Sequence, residues 1–424
     1  MKFRRGNRLL VSLACSCLTV AGLAPAATAA SLRPASSGGS ITMWGYFNPT
    51  GANGEVAQAN LLKQWAKLFE QASPGSTVNY TYIPFNQMDG KLIAAAAAHT
   101  GPDVVLLNGG STAADALGGA LANSTAFFQK SGLLKAYPPG VQHAVNGDVY
   151  SIQPYVNLLG MMYNANILGT LHLSVPTNYT QFVADMKAAK AAGYWGLVIP
   201  GSPDGEGEFS SHPWLTNAGF DFSHPTMSAL VAGLDYPAQW VADGYVSKAD
   251  STLNNDTGYS TWLQGKTLFS QSGNWNLGVA VTQAKFKWGV FPIPLGPLGK
   301  IYLGGEALAV GAFTTKTSLA DTYLSAALSY QGSLDTLAVG SIPSRLDLAA
   351  NPKIASNALI KPYAAEIRTN GGDYPDPGIK PADVDQEYTL VGQAWSSVIA
   401  GGSPQKAAAT LLPQFVKIVV GSSS

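Results

Sequence analysis

A short β-prone run, ITMWGYF at 41–47, gives way to the turn residues Asn48, Pro49, Thr50 and Gly51. Apolar positions then recur at helical spacing: Leu61, Leu62, Trp65, Leu68 and Phe69. Ser73-Pro74-Gly75 breaks that helix. Val78, Tyr80 and Tyr82 alternate as a strand, an Ala-rich helix follows around Leu92 to Ala98, and the run Asp103 to Leu107 reads as a buried strand. Strand, helix, strand, helix, strand predicts a parallel sheet with right-handed crossovers. In such sheets ligands gather beyond the carboxyl ends of the strands, which here are Trp44 to Asn48 and Asn108 to Ser111.

The second half repeats the pattern less cleanly. A helix beginning near Asn178 or Thr180, with Phe182, Val183 and Met186 on one face, leads into the apolar segment Gly196 to Pro200. No short internal repeat of the solenoid kind is present. The 424 residues exceed what one ordinary core supports, so two lobes are expected.

The N-terminus has a basic start, MKFRRGNR, an apolar stretch from Leu9 to Leu23, and small residues at Ala27, Thr28 and Ala29. This is the pattern of a cleaved export signal over 1–30; Ser12, Ser16 and Thr19 interrupt it too often for a membrane anchor. A linker over 31–39, whose Ser/Gly-rich end runs from Ser36 to Ser40, separates it from the fold. Both cysteines, Cys15 and Cys17, lie inside the signal, so the remainder offers no disulfide, thiolate site or cysteine nucleophile. Lipid attachment at either cysteine is the minority alternative, because the preceding residues fit that signal poorly.

Charged residues make up 12% of the chain and hydrophobic ones 46%, the composition of a folded body. Lys2, Arg4, Arg5 and Arg8 precede any acid; 25 less these 4 leaves 21 basic residues against 25 acidic ones. A slightly acidic body argues against nucleic acid or an anionic membrane as the main partner.

Four stretches carry a family resemblance when read in order. VYSIQPYVNLLGMMYNANIL is similar to a segment that crosses between lobes and ends in Tyr-Asn; YSTWLQGKTLFSQSGNWNLG resembles a helix, Gly-Lys turn, strand and Gly-x-Trp loop. WGVFPIPLGPLGKIYLGGEALAV looks like the returning strand, crossover and Gly-Gly strand. GSIPSRLDL, preceded by a helix over Ala320 to Gln331 and followed by AWSSVIAGGSPQKAAATLL, matches the closing pattern. Together they resemble the extracellular solute-binding proteins of ATP-binding-cassette sugar importers, the group that includes maltose-binding protein.

The resemblance implies an α/β, two-lobed periplasmic-binding-protein-like fold, each lobe a mainly parallel sheet flanked by helices and joined by hinge crossings. Lobe 1 takes 40–153 and 294–332; lobe 2 takes 154–293 and 333–424. Pro154 and Gly296-Pro297 lie near two crossings. It also implies a monomer that captures a sugar or oligosaccharide between the lobes, without cofactor or chemistry, and hands it to ABC permease transmembrane subunits. The alternatives are a non-sugar solute, such as a peptide or a glycerophosphodiester, and a secreted glycoside hydrolase.

Aromatic residues are abundant, with 9 Trp, 18 Tyr and 15 Phe, and flat rings suit the apolar faces of pyranoses. Trp275 leads the candidates, because Gly273 lets its loop approach a ligand and the family places an aromatic there. Tyr155 at a crossing follows, then Trp44, and then Trp214 in what reads as a polar loop from Ser210 to Asn217. Asn48, Asn108, Asn157, Glu306 and Arg345 are the candidate polar contacts, with Arg345 equally suited to an ion pair.

A hydrolase needs paired carboxylates, and Asp204, Glu206 and Glu208 in GSPDGEGEF are the obvious set. Their Gly-rich setting reads instead as a solvated loop. The spacing lacks the calcium-loop pattern, so no metal is expected. No nucleophile elbow, phosphate loop, dinucleotide fingerprint or H-E-x-x-H occurs. His99, His143, His172, His212 and His224 are scattered, and the last two precede prolines, which favours extended chain.

Overall fold

The computed structural model describes residues 38–50 and 53–422; the export-signal reading, with Cys15 and Cys17, lies outside the described residues. Among the described residues no helix is long and apolar enough to cross a membrane.

The strands in chain order are β1 (Ser40–Gly45), β2 (Thr77–Tyr82), β3 (Val104–Asn108), β4 (Gln142–Val145), β5 (Asp148–Ile152), β6 (Tyr155–Val156) and β7 (Leu159–Asn164). They continue with β8 (Trp195–Val198), β9 (Thr267–Gly273), β10 (Trp288–Phe291), β11 (Ile301–Tyr302), β12 (Glu306–Val310), β13 (Ile342–Pro343) and β14 (Gly371–Gly372).

One sheet has the order β2-β1-β3-β12-β5-β4. Its pleat sorts side chains by the period of two: Val104, Leu106, Leu308 and Val310 join the main core with Trp65 and Phe69. Val105, Leu107, Ala307 and Ala309 pack on the opposite face with Met88 and Leu92. Both faces are covered, which is why every residue of β3 is buried.

The second sheet has the order β10-β7-β9-β8. Beneath it lies an aromatic core in which Phe182, Phe269 and Phe291 pack together, with Phe182 and Phe269 ring centroids 5.0 Å apart. Asn178 caps the Tyr179–Ala191 helix by accepting from the Gln181 amide, where the sequence places its start.

Parallel pairing holds for β2-β1-β3 and for β8-β9, but both sheets are mixed. This corrects the expectation of mainly parallel sheets. The reason is local: Asn146 and Gly147 both have positive φ, the two-residue turn that folds β4 straight back on β5. Strand β12 also returns antiparallel to β3, and β7 runs antiparallel to both β9 and β10.

Three short passages meet where the sheets connect. β6 pairs with β13, Asn157 bridges to Gly304, and the Gln153 side chain donates to the Gly304 carbonyl at 3.2 Å. Gly305 has φ +141°, and a Cβ there would lie 2.7 Å from the Tyr155 carbonyl oxygen, so only glycine fits.

Candidate functional site

Register, not sequence proximity, builds the centre. β12 pairs with β3 so that Glu306 stands directly opposite Asn108 at the end of the first sheet, and the Gly109 amide donates to the Gly305 carbonyl. Glu306 is buried and accepts from Asn157 Nδ2 at 3.0 Å. Burial raises its carboxyl above the usual carboxylate range, opposed by the hydroxyls of Tyr155 and Tyr46 that face it. The Tyr155 hydroxyl nevertheless makes no hydrogen bond of ordinary geometry.

Asn157 is held by a network of its own. Its Oδ1 accepts from Asn274 Nδ2 and from Ser341 Oγ, both at 3.1 Å. Asn274 also donates to the Gly340 carbonyl at 2.9 Å and accepts from the Leu158 amide at 2.7 Å. One buried amide thereby ties together the chain passages at 157–158, 274 and 340–341, and Asn157 presents Glu306 in a fixed orientation.

Aromatic rings form the facing wall. Phe209 lies against Gly304, with its ring centroid 5.4 Å from Tyr374, 5.8 Å from Tyr302 and 6.1 Å from Trp275. Tyr374 stacks on Tyr388 at 5.9 Å, and its hydroxyl accepts from Asn108 Nδ2 at 3.1 Å. Gly110 seats this wall on the first sheet: a Cβ there would collide with the Tyr388 hydroxyl and come within 2.8 Å of the Tyr374 ring.

The structure brings Asn108, Tyr155, Asn157, Trp275 and Glu306 together at this seam. Trp275 is half-buried, in the turn Asn274–Asn276 that follows β9. Trp44 is half-buried within β1 and packs against the apolar face of the sheet; Tyr46, two residues on, is the one beside Glu306. Asn48 closes a local turn by accepting from the Thr50 amide at 3.0 Å.

Trp214 belongs elsewhere. The expected polar loop is the C-terminal half of a helix, Gly205–Asn217, and the Trp214 ring is fully buried. Its Nε1 donates to Gln271 Oε1 at 2.7 Å and its ring meets Trp240 edge-on at 4.8 Å. Arg345 pairs with Asp347 at 2.8 Å, donates to the Leu328 carbonyl and lies over the Tyr137 ring.

The acidic segment is also corrected, from a solvated loop to a helix start. Asp204 caps the helix by accepting from the Glu206 amide at 3.0 Å, and Glu206 accepts from the Asn255 amide at 2.7 Å. Glu208 is fully buried beside Glu387, in the first turn of the Val384–Ile399 helix. Burial pushes Glu208 up to about 8 and Glu387 well above its ordinary value. Tyr46, Phe209, Tyr374, Tyr388, Asn274 and Glu387 escaped the sequence reading. Tyr46 had a signal, since it stands nearer the strand's carboxyl end than Trp44; the others had none.

A seam between two mixed sheets, lined by rings, amides and carboxyls, offers both apolar faces and hydrogen-bonding groups to a small solute. The sequence profile of the bacterial extracellular solute-binding proteins matches residues 64–362, and the chain belongs to that family. No curated protein matches by sequence. Among solved structures, the GacH receptor of Streptomyces glaucescens, described unliganded and with acarbose, is 20% identical with TM-score 0.78, covering 91% of this chain and all of its own. The maltotriose-bound maltodextrin-binding domain of Bdellovibrio bacteriovorus is 20% identical with TM-score 0.74, covering 89% of this chain and 98% of its own. The maltose-bound MalE3 of T. maritima is 20% identical with TM-score 0.75, covering 89% and 99%. At these identities the likeness is one of fold.

Proposed function

We propose that this protein is the substrate-binding component of an ABC importer and captures a saccharide at the seam between its two sheets, releasing it unchanged to the permease. The observation that carries this reading is the juxtaposition of Phe209, Trp275 and Tyr374 with the Glu306, Asn157 and Asn108 polar set. Rings match the C–H faces of a pyranose, while amides and carboxyls match its hydroxyl rim. The saccharides named for the similar structures support the same class.

Capture without chemistry is the reading that fits the carboxyls. Glu206 is engaged with Asn255, and Glu208 adjoins Glu387 rather than facing it across an open gap, whereas glycoside hydrolysis sets two carboxyls about 5–10 Å apart astride the bond. The export reading adds a cleaved signal over 1–30 and action outside the cytoplasm as a monomer.

The test is a thermal-shift and tryptophan-fluorescence screen of mono- and oligosaccharides against amino acids, peptides and glycerophosphodiesters. A saccharide at a hundred times its dissociation constant stabilises the fold by about 2.7 kcal/mol. Stabilisation only by a non-saccharide overturns the substrate assignment, and turnover of a bound glycan overturns the binding-only reading.

A further inference from the structure

The ligand-facing edge of the first sheet extends past the seam. Strands β2, β1 and β3 run parallel, so their carboxyl ends share one edge, and β12, antiparallel to β3, begins there with Glu306. In the order β12-β3-β1-β2 the residues at or just beyond that edge are Glu306, Asn108, Tyr46 and Phe85. Phe85 is placed by the turn that follows β2: the Ile83 amide donates to the Gly45 carbonyl at 2.9 Å, and Pro84 leads into the one-turn helix Phe85–Gln87. The Phe85 ring meets Tyr46 edge-on, with centroids 5.1 Å apart, and the Tyr46 hydroxyl faces Glu306. One tyrosine thus spans the distance between the buried carboxyl and the ring at the rim.

Exposure rises along this row. Glu306 and Asn108 are each 8% exposed, Tyr46 is half-buried and Phe85 is 45% exposed. Because β2 is the edge strand, no further strand flanks the row beyond Phe85, and the row opens to solvent at that end. Asn86 and Gln87, in the same turn, are exposed as well. Asp89, half-buried in the first turn of the Met88–Ala97 helix, is oriented by accepting from Ser111 Oγ at 2.9 Å. A ring flanked by amides and a carboxyl repeats at the open end the chemistry that the seam offers at its inner end.

We propose that Phe85 is the outer contact of the solute site, and that the solute is an oligosaccharide laid across the strand ends from Glu306 to Phe85. This rests on the saccharide-capture reading and narrows its substrate class by length. Three strand spacings separate β12 from β2, roughly 14 Å. A lone pyranose held at Glu306 leaves Phe85 in water, whereas linked pyranoses in a row reach it. The outer sugar then covers the apolar face of the ring, and its hydroxyls meet Asn86, Gln87 and Asp89.

The experiment is calorimetry with three series of mono-, di- and trisaccharides: α-1,4-linked glucose, β-1,4-linked glucose and β-1,4-linked N-acetylglucosamine. In the series that binds, the trisaccharide binds tighter than the monosaccharide. Phe85→Ala, verified as folded by circular dichroism, lowers trisaccharide affinity by about three- to tenfold, the worth of one aromatic contact, and leaves monosaccharide affinity where it was. Phe85→Trp retains the trisaccharide affinity and adds a tryptophan whose fluorescence changes with the trisaccharide and not with the monosaccharide. A monosaccharide bound as tightly as its trisaccharide overturns the inference and leaves saccharide capture standing. So does an equal loss at every length in Phe85→Ala, which makes Phe85 a support for Tyr46, or no loss at any length. Binding of no member of any series, with stabilisation by a peptide or a glycerophosphodiester, overturns both.

Discussion

Replacing Asn274 by alanine removes a side chain that joins three passages of the chain at the seam. The deletion strands the Leu158 amide, now 2.7 Å from Asn274 Oδ1, and the Gly340 carbonyl, now 2.9 Å from Nδ2. Asn157 Oδ1 loses one of two donors but keeps Ser341. Each buried group left unmade costs about 1–3 kcal/mol, so stranding two destabilises the variant by about 2–6 kcal/mol. Equilibrium urea unfolding followed by tryptophan fluorescence measures this directly, and calorimetry with the ligand found in screening measures the consequence. With Asn157 less constrained, Glu306 is no longer pre-set, and affinity falls more than in a control variant at an exposed position. A double-mutant cycle with Asn157→Ala gives a coupling above about 0.5 kcal/mol, as expected for members of one network. A loss below 1 kcal/mol with no coupling refutes the hub.

Trp275→Ala lowers ligand affinity while moving stability little, because its ring is half-buried, whereas Trp214→Ala costs about 3–5 kcal/mol of stability and leaves the seam's chemistry in place. Denaturation and calorimetry on the two variants separate the roles; equal effects on affinity contradict the placement. Gly110→Ala drives a methyl into Tyr388 and Tyr374, costing about 1–3 kcal/mol of stability. An unchanged urea-unfolding midpoint contradicts this packing. Acid stabilises the unliganded protein: Glu208, raised to about 8, and Asp115, raised to about 9, stay protonated in the native state where the unfolded chain has already ionised. The unfolded state then binds fewer protons, so the stability these two groups contribute is fully present below about pH 4 and is lost as pH rises toward 8–9. Melting temperatures taken from pH 5 to 8.5 fall in the wild type and fall less in Glu208→Gln; a rise opposes the assignment.

Short-range periodicity accounts for what the sequence discloses. The alternation of Val78, Tyr80 and Tyr82, the Leu61 to Phe69 spacing and the capping residue Asn178 each act within a few residues, and each forms the element expected of it. The strand end at Asn108 could likewise be read, while Trp275 was within reach through Gly273 and the family resemblance. The Asp204 segment shows where local signals conflict: its glycines argue for a loop, yet the Asp204 cap and burial against the Val384–Ile399 helix make it a helix start.

Partners distant in sequence were decided only by tertiary packing. Glu306 meets Asn108 across nearly two hundred residues because β12 enters beside β3 in one register, and a shift by one position would turn its carboxyl to the other face. Trp214 is core while Phe209, on the same helix, lies against Gly304 and Tyr374 at the seam, because the helix turns them toward different surroundings. Glu208 and Glu387 come from helices that start far apart in the chain and meet only when those helices pack. The sequence by itself disclosed the early strands and helices and, through the order of its segments, the family, since these depend on local pattern and order. The burial and pairing of the carboxyls came only with the fold, because an electric environment is a property of neighbours brought together in space.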